Sequence, residues 1–363
     1  MSEMSIINHP TLAGDMGILN VLVTGFQPFG QHEKNISEDT VLGLNDNYQL
    51  DDPWASKRNT TSLVEVSVEK KILTVDLEGS KYCAEKINQG QRYDAIIHVG
   101  LAENSEMVRI EKIGKDILDF RIPDNSGRQV LGSRITGNGD LMTSCELKRW
   151  DVSSWNIPTR ISEDAGEFLC NEVYHRTLDS ICQNDLQNEF GKDIPCLFIH
   201  LPNYANITVD QCRDSILNIL SHMLHVPVID VVAGILVENG KFLAARRSQG
   251  EAFAGFWEFP GGKLEPQENS QQAVLREYEE ELRIEVLYRG DVGVWWNDFG
   301  HLQVRLLVVW VIQKCQNKIK LTVHDDMVWC DPENLPDLKW LGPDKAIAEY
   351  ISSEINSVNL ESK

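Results

Sequence analysis

Apolar residues follow two spacings along the chain, and the alternation between them marks the predicted elements. Short apolar runs bounded by glycine or polar residues predict strands, and apolar residues three or four apart predict amphipathic helices. Before residue 225 the predicted strands are 19–24, 64–75, 95–99 and 196–199, and the predicted helices are 80–89, 162–181 and 209–224. Strands that alternate with helices predict a layered α/β/α domain with a largely parallel sheet.

Two polar stretches interrupt this alternation. Residues 46–62 are predicted to be loop, and residues 126–160 are rich in Gly, Ser, Thr and Asn with no clear period. Long excursions of this kind are often functional. A third, short interruption at residues 25–30 is a glycine-bounded turn that exposes Phe26 and Phe29.

A second pattern starts near Val226 and has more strands than helices. A hairpin is predicted around Asn239 and Gly240, because such a pair suits the turn between two short strands. The predicted strands are 228–237, 242–246, 292–296 and 304–312, and the predicted helices lie within 257–284 and at 344–351. This order predicts an α+β domain. The predicted limits are a polar leader 1–17, domains 18–224 and 225–355, and a polar tail 356–363.

Composition narrows the function. A chain of 363 residues with 42% hydrophobic content is long enough for two cores. The net charge of −21 disfavours binding of a nucleic-acid polymer, because phosphate backbones are bound by Lys and Arg. No apolar run approaches the roughly 20 residues of a membrane helix, and no signal peptide is indicated, so we expect a cytoplasmic protein. The eight cysteines form no CxxC pair, which argues against a zinc site or a disulfide framework.

Residues 257–284 carry the most interpretable chemistry. Glu277, Glu280 and Glu281 stand at i, i+3 and i+4 of a predicted helix, so their carboxylates share one face. Grouped carboxylate oxygens suit Mg²⁺ or Mn²⁺, which bridge carboxylates to substrate phosphates. Gly261 and Gly262 precede the helix and can turn backbone N–H groups towards an anion. The alternative is an ordinary solvated acidic helix.

The full spacing favours the functional interpretation. Gly262, five residues, Glu268, seven residues, Arg276-Glu277-Tyr278, one residue, Glu280-Glu281 and finally Ile284 resembles the Nudix hydrolase box, with Arg283 where the last glycine is expected. The lead-in GFWEFPGGKLE resembles the MutT branch, which hydrolyses nucleoside triphosphates to monophosphates and diphosphate. The resemblance implies that Glu277, Glu280 and Glu281 bind the metal.

The same resemblance assigns further roles. Glu268 would support the site or assist proton transfer, and Arg276 would pin the helix through a salt bridge. Lys263 would reach a phosphate, although a solvated lysine is nearly as good an interpretation. Asp344 falls where MutT relatives contact the base, although a helix N-cap is an equally good interpretation. Val323 occupies a position where many MutT relatives have a glutamate. His324 or Asp325 are candidates to replace it.

Three residues before position 225 suit thiol chemistry. They are Glu111, Cys170 near the start of a predicted helix, and His200 at a strand end. A helix N-terminus lowers the pKa of a thiol, a histidine can take its proton, and a carboxylate can orient that histidine. Taken singly, each residue has a simpler interpretation: Glu111 as a surface charge, Cys170 as a core cysteine and His200 as a structural histidine.

Their contexts resemble the pyroglutamyl peptidase I family over about residues 18–222. The matching motifs are VTGFQPFG with Asn35 and Ser37, EKIGKDILDFRIPDN, AGEFLCN and FIHLP. The resemblance implies that Cys170 is the nucleophile, His200 its base and Glu111 the residue that orients His200. It places Arg121 beside the active site and Phe26 and Phe29 in the substrate pocket. The implied reaction removes an N-terminal pyroglutamate through a thioester.

One departure concerns specificity. The family usually has Gly-Gln-Ala-Gly-Gly after the strand, whereas this chain has Gly100-Leu101-Ala102-Glu103-Asn104. The expected protein is therefore a fusion of a cysteine-peptidase-like domain and a metal-dependent nucleotide hydrolase. Its expected partners are a nucleotide and pyroglutamyl peptides. We expect no membrane association, and the sequence leaves open whether the protein forms a homo-oligomer. The alternative is that one or both domains bind ligands with little or no turnover.

Overall fold

The computed structural model describes residues 6–7, 17–60, 62–188 and 191–355. The predicted leader and tail fall largely outside these residues. The chain divides into an N-terminal unit, Ala13–His225, and a C-terminal unit, Val226–Lys363 together with Met1–Leu12. Within the described ranges no helix has both the length and the apolar character needed to cross a membrane.

The N-terminal unit is built on a seven-stranded sheet. Strands are numbered in chain order from β1 (Ile6–Ile7), which belongs to the C-terminal unit. Those of the N-terminal unit are β2 (Leu19–Phe26), β3 (Asn47–Asp51), β4 (Leu63–Leu73), β5 (Ala95–Leu101), β6 (Val108–Glu111), β7 (Ile113–Gly114), β8 (Leu141–Met142), β9 (Thr159–Ser162) and β10 (Cys196–Leu201). The sheet order is β3-β4-β2-β5-β10-β6-β9, and β7 pairs with β8 separately.

The four central strands of this sheet, β4, β2, β5 and β10, run parallel. β5 and β10 are buried along almost their whole length, as expected for strands covered on both faces. Gly100 and His200 lie side by side near the carboxyl ends of these two strands. Ligands of open α/β sheets bind beyond those ends, so the topology indicates where a site lies.

The helices of this unit are α1 (Ile36–Leu42), α2 (Ala55–Arg58), α3 (Leu77–Asn88), α4 (Leu169–Gln183) and α5 (Val209–Leu224), with 3₁₀ turns at Leu147–Arg149 and Val152–Ser154. Asn35 caps α1 by accepting a hydrogen bond from the Ser37 N–H. α3 and α4 contribute apolar side chains to the same core cluster, which includes Ile87, Val173 and Tyr174.

Two sequence predictions were wrong here. The helix expected over 162–181 begins only at Leu169, because Thr159–Ser162 pairs as β9 with β6 and Gly166 has a φ of 82°. The loop expected over 46–62 contains β3 and α2, since β3 pairs antiparallel with β4. A short edge strand of mostly polar residues gives little apolar signal in the sequence.

The excursion of residues 126–160 is folded around a buried carboxylate. Oxygen atoms of Asp116, which is 3% exposed, accept hydrogen bonds from the backbone N–H groups of Ile135, Thr136, Gly137 and Gly139. These bonds supply the backbone partners that regular pairing would otherwise provide. The segment is irregular but ordered by this acceptor.

The C-terminal unit is an eight-stranded sheet region with two helices. Its further strands are β11 (Val228–Glu238), β12 (Lys241–Arg247), β13 (Trp257–Glu258), β14 (Gly261–Lys263), β15 (Val286–Asp298), β16 (Gln303–Gln313) and β17 (His324–Cys330), and its helices are α6 (Ser270–Leu282) and α7 (Asp344–Glu354). The order is β1-β15-β16-β11-β12-β13, with β14 on β11 and β17 on β12. The predicted hairpin joins β11 to β12. β1, inside the predicted leader, pairs in parallel with Val294 and Trp295.

Helix α6 is fixed at both ends and along one face. Asn269 and Gln272 form a capping box at its start. Arg283 ends it with a φ of 56°, a left-handed conformation that costs a non-glycine residue about 1 kcal/mol. The Tyr278 hydroxyl donates to the Gly234 carbonyl at 2.7 Å. This packing holds the three glutamates in place, and the predicted α/β class with an α+β second unit is confirmed.

Candidate active sites

The N-terminal unit brings His200 and Glu111 into direct contact. β10 and β6 pair antiparallel, with Glu111 opposite Phe198 and Arg109 opposite His200. The Nδ1 atom of His200 donates to Oε1 of Glu111 at 2.8 Å. Glu111 is fully buried and His200 is 6% exposed. Because Nδ1 is the donor, the lone pair of a neutral ring is on Nε2, where it can accept a proton.

Cys170 lies in the first turn of α4 and reaches the same place. A Cβ added to Gly100 would lie 3.1 Å from the Cys170 Sγ and 2.8 Å from Cζ of Phe198. Gly100 is the register partner of His200 in the β5–β10 pair. Cys170 and His200 therefore both lie beside Gly100, where an added side chain would crowd Phe198 and the sulfur.

The thiol of Cys170 does not have the lowered pKa that the sequence predicted. Burial raises its pKa to about 12, and the charge of Glu111 raises it further, whereas its own backbone N–H and Arg109 act in the opposite direction. Desolvation therefore outweighs the helix N-terminus. The resting thiol is neutral, so a nucleophilic attack needs a base for its proton.

Aromatic rings surround this site. Phe26 is 3% exposed and lies 6.4 Å from Phe198, measured between ring centroids. Phe29 is half-buried and lies 6.3 Å from Phe168, which packs on Phe120 at 4.6 Å. Arg121, directly after Phe120, is exposed and has no ion pair among the described residues. The two phenylalanines thus face the core that supports the site, while Arg121 lies at the surface.

In the C-terminal unit the glycine pair contacts the acidic face of α6. The Gly261 N–H donates to Oε2 of Glu281 at 3.1 Å. A Cβ on Gly262 would lie 2.2 Å from Oε1 of Glu277. The backbone N–H of Gly261 is therefore directed at a carboxylate of the protein. Phosphate binding by Gly262, and by the exposed Lys263, stays a prediction.

Arg276 forms the salt bridge predicted for it. Its guanidinium donates to both oxygens of Glu268 at 2.9 Å, to Glu277 at 2.8 Å and to Glu280 at 3.3 Å. It also donates to the Lys263 carbonyl at 3.1 Å. These bonds tie the loop before α6 to the helix. Glu268 consequently serves as an anchor of the loop.

Glu281 lies in an electrostatically unfavourable position. Burial raises the pKa of Glu281 to about 8, and the charges of Glu258 and Glu277 add to the effect. Burial also raises the pKa of Glu277. Carboxylates that are hard to ionise together are stabilised by a cation between them.

Glu258 on β13 is a residue that the sequence analysis missed. Both of its oxygens accept from Nη1 of Arg247 at 2.7 Å, and one accepts from Nε2 of His324 at 3.0 Å. His324 is 4% exposed, whereas Asp325 pairs with Arg246 at the surface. Of the two candidates to replace the glutamate absent at Val323, only His324 faces the carboxylates.

The donor set fits a hard divalent cation. It consists of carboxylate oxygens, the ligands preferred by Mg²⁺ and Mn²⁺. Within the ranges the structure describes, no three His, Cys, Asp or Glu side chains are close enough to form a complete metal site. Arg276 contacts Glu277 and Glu280. The metal-ligand roles of Glu277, Glu280 and Glu281 therefore stay a prediction.

Asp344 is the first residue of α7, and Pro343 occupies the N-cap position. The N-cap alternative for Asp344 was therefore wrong. Asp344 is 6% exposed, and burial together with the charge of Glu258 raises its pKa well above the usual range. A protonated carboxyl group can donate a hydrogen bond, which would suit an acceptor atom of a base.

Comparison with known proteins gives two matches. A pyroglutamyl peptidase family model matches residues 19–237, and a NUDIX domain model matches residues 228–352. The chain belongs to the pyroglutamyl peptidase family. The pyrrolidone-carboxylate peptidase of Thermoanaerobacter sp. is 30% identical over 188 residues, 51% of this chain and 82% of that protein. The one from Bacillus velezensis is 28% identical over 218 residues, 59% of this chain and 92% of that protein.

Solved structures also resemble the chain. The crystal structure of pyrrolidone carboxyl peptidase from Thermus thermophilus has 26% sequence identity and a TM-score of 0.44, covering 56% of this chain and 99% of that chain. The fusion of a pyroglutamyl peptidase domain with a NUDIX domain, as the two motif sets indicated, is confirmed. Both are hydrolase domains.

Leu101 stands where the motif resemblance predicts a glutamine in the family. Leu101 is partly buried, one residue beyond Gly100, and its register partner is Leu201 on β10. Glu103 in the same loop pairs with His32 at 3.7 Å, and its carbonyl accepts from Asn203 at 2.8 Å. The loop is thus held by specific polar contacts, while the last position of β5, one residue after Gly100, is apolar.

Arg109 is the second residue that sequence analysis missed. Alternation along β6 places Arg109 and Glu111 on one face of the strand. That signal was available, but a neighbouring arginine gains meaning only once Glu111 is known to be buried. Glu258 was missed for a similar reason, because its partners Arg247 and His324 come from other strands.

Proposed function

We propose that the N-terminal domain is a cysteine peptidase that removes an N-terminal pyroglutamate. The observation that supports it best is the His200–Glu111 hydrogen bond of 2.8 Å beside Gly100, where Cys170 also lies. Sγ of Cys170 would attack the carbonyl carbon as His200 Nε2 takes the thiol proton. His200 would return that proton to the leaving amine when the C–N bond breaks, leaving a thioester. Water would then hydrolyse the thioester with His200 again as base.

Glu111 has a defined part in these steps. It fixes the ring through Nδ1 and stabilises the imidazolium that forms when His200 takes a proton. Phe26 and Phe29 would line the pocket for the lactam ring, and Arg121, at the surface, would contact the peptide. These substrate contacts are carried over from the family motifs.

The test is hydrolysis of a pyroglutamyl arylamide by the full chain and by Cys170→Ala. Cys182→Ala is the matched control, because Cys182 lies on the same helix but is exposed. Release of the arylamine should disappear in the first variant and persist in the second. Equal release from Cys170→Ala and wild type would reject Cys170 as the nucleophile.

We further propose that the NUDIX domain hydrolyses nucleoside triphosphates, or related diphosphates, and releases diphosphate. The raised pKa of Glu281 among Glu277 and Glu258 supports a site that takes a cation. Mg²⁺ or Mn²⁺, held by Glu277, Glu280 and Glu281, would neutralise phosphate charge and activate water. Glu268 would hold the loop, Gly262 and Lys263 would contact phosphate, and Asp344 would contact the base.

Phosphate release from a panel of nucleotides, with and without Mg²⁺, tests this proposal. Glu281→Gln should abolish the metal-dependent rate in a folded protein. Glu279→Gln is the matched control, because Glu279 lies on the same helix and is exposed. A rate for Glu281→Gln within about threefold of wild type, well under 1.4 kcal/mol of barrier, would reject the ligand role.

The non-enzymatic alternative has specific support at two positions. Leu101 and Val323 stand where the family motifs lead us to expect polar residues. A domain that binds its ligand but shows no turnover would therefore be a binding module. We also propose a cytoplasmic location and substrates that are small molecules or peptides. A homo-oligomer stays open.

A further inference from the structure

Arg109 shares an oxygen atom with His200. Its Nη2 lies 2.9 Å from Oε1 of Glu111, the atom that accepts the His200 Nδ1–H at 2.8 Å. The other oxygen, Oε2, is buried and has no hydrogen-bond partner among the described residues, and the same holds for Nε of Arg109. Arg109 and His200 therefore both contact Glu111 through one oxygen.

The guanidinium of Arg109 is held in place from the neighbouring strand. Nη2 donates to Ser162 Oγ at 3.1 Å and to the Asp164 carbonyl. Ser162 is the register partner of Glu111 in the β6–β9 pair. Arg109, with 20% of its side chain exposed, is also the register partner of His200 in the β6–β10 pair. Its position is therefore set by the sheet.

A charge balance follows from this arrangement. Glu111 is fully buried, and a buried carboxylate without a compensating charge is costly. The formal charges of the site sum to zero when Arg109 is positive, Glu111 is negative, and His200 and the thiol are neutral. Moving the Cys170 proton to His200 leaves that sum unchanged, so it is an internal transfer. Arg109 also opposes the burial that raises the pKa of the Cys170 thiol.

Without Arg109 the same transfer would leave a buried net charge of minus one. The site would be neutral at rest only if His200 already carried a proton, and such a ring cannot accept another. We propose that Arg109 is a positioning residue of the thiol site, which compensates the buried charge of Glu111 and holds its carboxylate towards His200. This inference rests on the proposed peptidase function.

The experiment measures alkylation of Cys170 by iodoacetamide in the full chain at pH 8, with the modified cysteine mapped by mass spectrometry. This readout needs no peptide substrate. Arg109→Gln should lower the rate constant at Cys170 by about 10-fold or more, a part of the roughly 10²–10⁴-fold typical of a complete general-base contribution. Arg109→Lys, which keeps the charge, should restore most of it. Arg160→Gln is the matched control, since Arg160 is the exposed register partner of Arg109.

A double-mutant cycle separates an effect through Glu111 from a general one. If Arg109 acts mainly through Glu111, adding Arg109→Gln to Glu111→Gln should change the rate by less than about threefold. If Arg109→Gln slows alkylation in the Glu111→Gln protein by the same factor as in wild type, the inference is overturned. Equal losses in Arg109→Gln and Arg109→Lys, with a lowered melting temperature, would also overturn it and leave only a structural contact.

The two proposals fail in distinguishable ways. If His200→Ala and Glu111→Gln leave the Cys170 rate unchanged, the triad itself does not operate. If those variants slow Cys170 but Arg109→Gln stays within about threefold of wild type, the triad stands and the role of Arg109 is wrong.

Discussion

Gly262 lies in contact with Glu277, because a Cβ on Gly262 would be 2.2 Å from one carboxylate oxygen and 2.8 Å from the other. The clash would be with the end of a flexible side chain, so Gly262→Ala should displace the carboxylate without unfolding the domain. We expect the unfolding free energy to change by about 1 kcal/mol, whereas metal-dependent hydrolysis falls by about tenfold or more. Enzyme assays and urea denaturation measure the two effects.

Gly17→Ala is a control for the general effect of adding a methyl group, since nothing lies within 4 Å of a Cβ there. Unchanged hydrolysis by Gly262→Ala would show that the close approach of Glu277 is not needed. A large loss of stability would instead mean that Glu277 cannot move, which Arg276 would explain by holding it.

The pKa of Cys170, about 12, predicts how its reactivity depends on pH. The raised value means that the neutral thiol predominates well above pH 8. An ordinary thiol has a pKa of about 8.5, and its alkylation rate levels off above that pH. In His200→Ala, where no neighbouring base takes the thiol proton, the rate at Cys170 should instead keep rising between pH 9 and pH 10, roughly in proportion to hydroxide. A plateau below pH 8 would show that a thiolate already exists at rest.

Sequence patterns predicted which residues carry the chemistry better than they predicted the strands, helix ends and burial around those residues. Glu277, Glu280 and Glu281 follow a helical period over one segment, so their shared face follows from local spacing alone. The start of α4 depends on β9 pairing with β6, a contact between segments about 50 residues apart, and was misplaced. The position of Cys170 near a helix start suggested a low thiol pKa, but burial by distant residues decided its direction.

His98 predicts an acid-dependent loss of stability in the peptidase domain. It is fully buried, with Thr24 Oγ1 2.8 Å from Nδ1 and Thr177 Oγ1 3.0 Å from Nε2. Burial lowers its pKa from 6.5 to about 3. The folded chain therefore resists protonation that the unfolded chain accepts near pH 6.5. The stability contributed by neutral His98 is complete above that pH and is lost as the pH falls towards 3.

The variant His98→Gln removes this titration. Its stability deficit relative to wild type, measured by urea denaturation at pH 7, 5 and 4, should shrink as the pH falls, by an amount on the order of a few kcal/mol. Other groups titrate equally in both proteins, so the difference isolates His98. A deficit that is constant over this range would contradict the prediction.

Leu101 predicts weak cleavage of pyroglutamyl substrates. The lactam of pyroglutamate has one N–H and one C=O, and burying each without a partner costs roughly 1 to 3 kcal/mol. The family has a glutamine at the Leu101 position, which can supply such a partner, whereas leucine cannot. Leu101 is the last residue of β5 and follows Gly100, where an added Cβ would lie 3.1 Å from the Cys170 sulfur, so the substitution lies one residue from the backbone that adjoins the proposed nucleophile. We therefore expect wild type to cleave pyroglutamyl arylamides slowly, and Leu101→Gln to raise kcat/KM.

The comparison is made with one arylamide at one pH, with Leu101→Met as the control because it changes shape without adding a polar group. Leu101→Gln should gain about tenfold or more, corresponding to one recovered hydrogen bond of about 1.4 kcal/mol, while Leu101→Met should gain nothing. The His32–Glu103 pair and the Asn203 contact hold the rest of the loop, so a single side chain should suffice. Fast cleavage by wild type with no gain in Leu101→Gln would show that another group already pairs with the ring. Slow cleavage by both would place the obstacle in Glu103 and Asn104, which replace the glycine pair of the family.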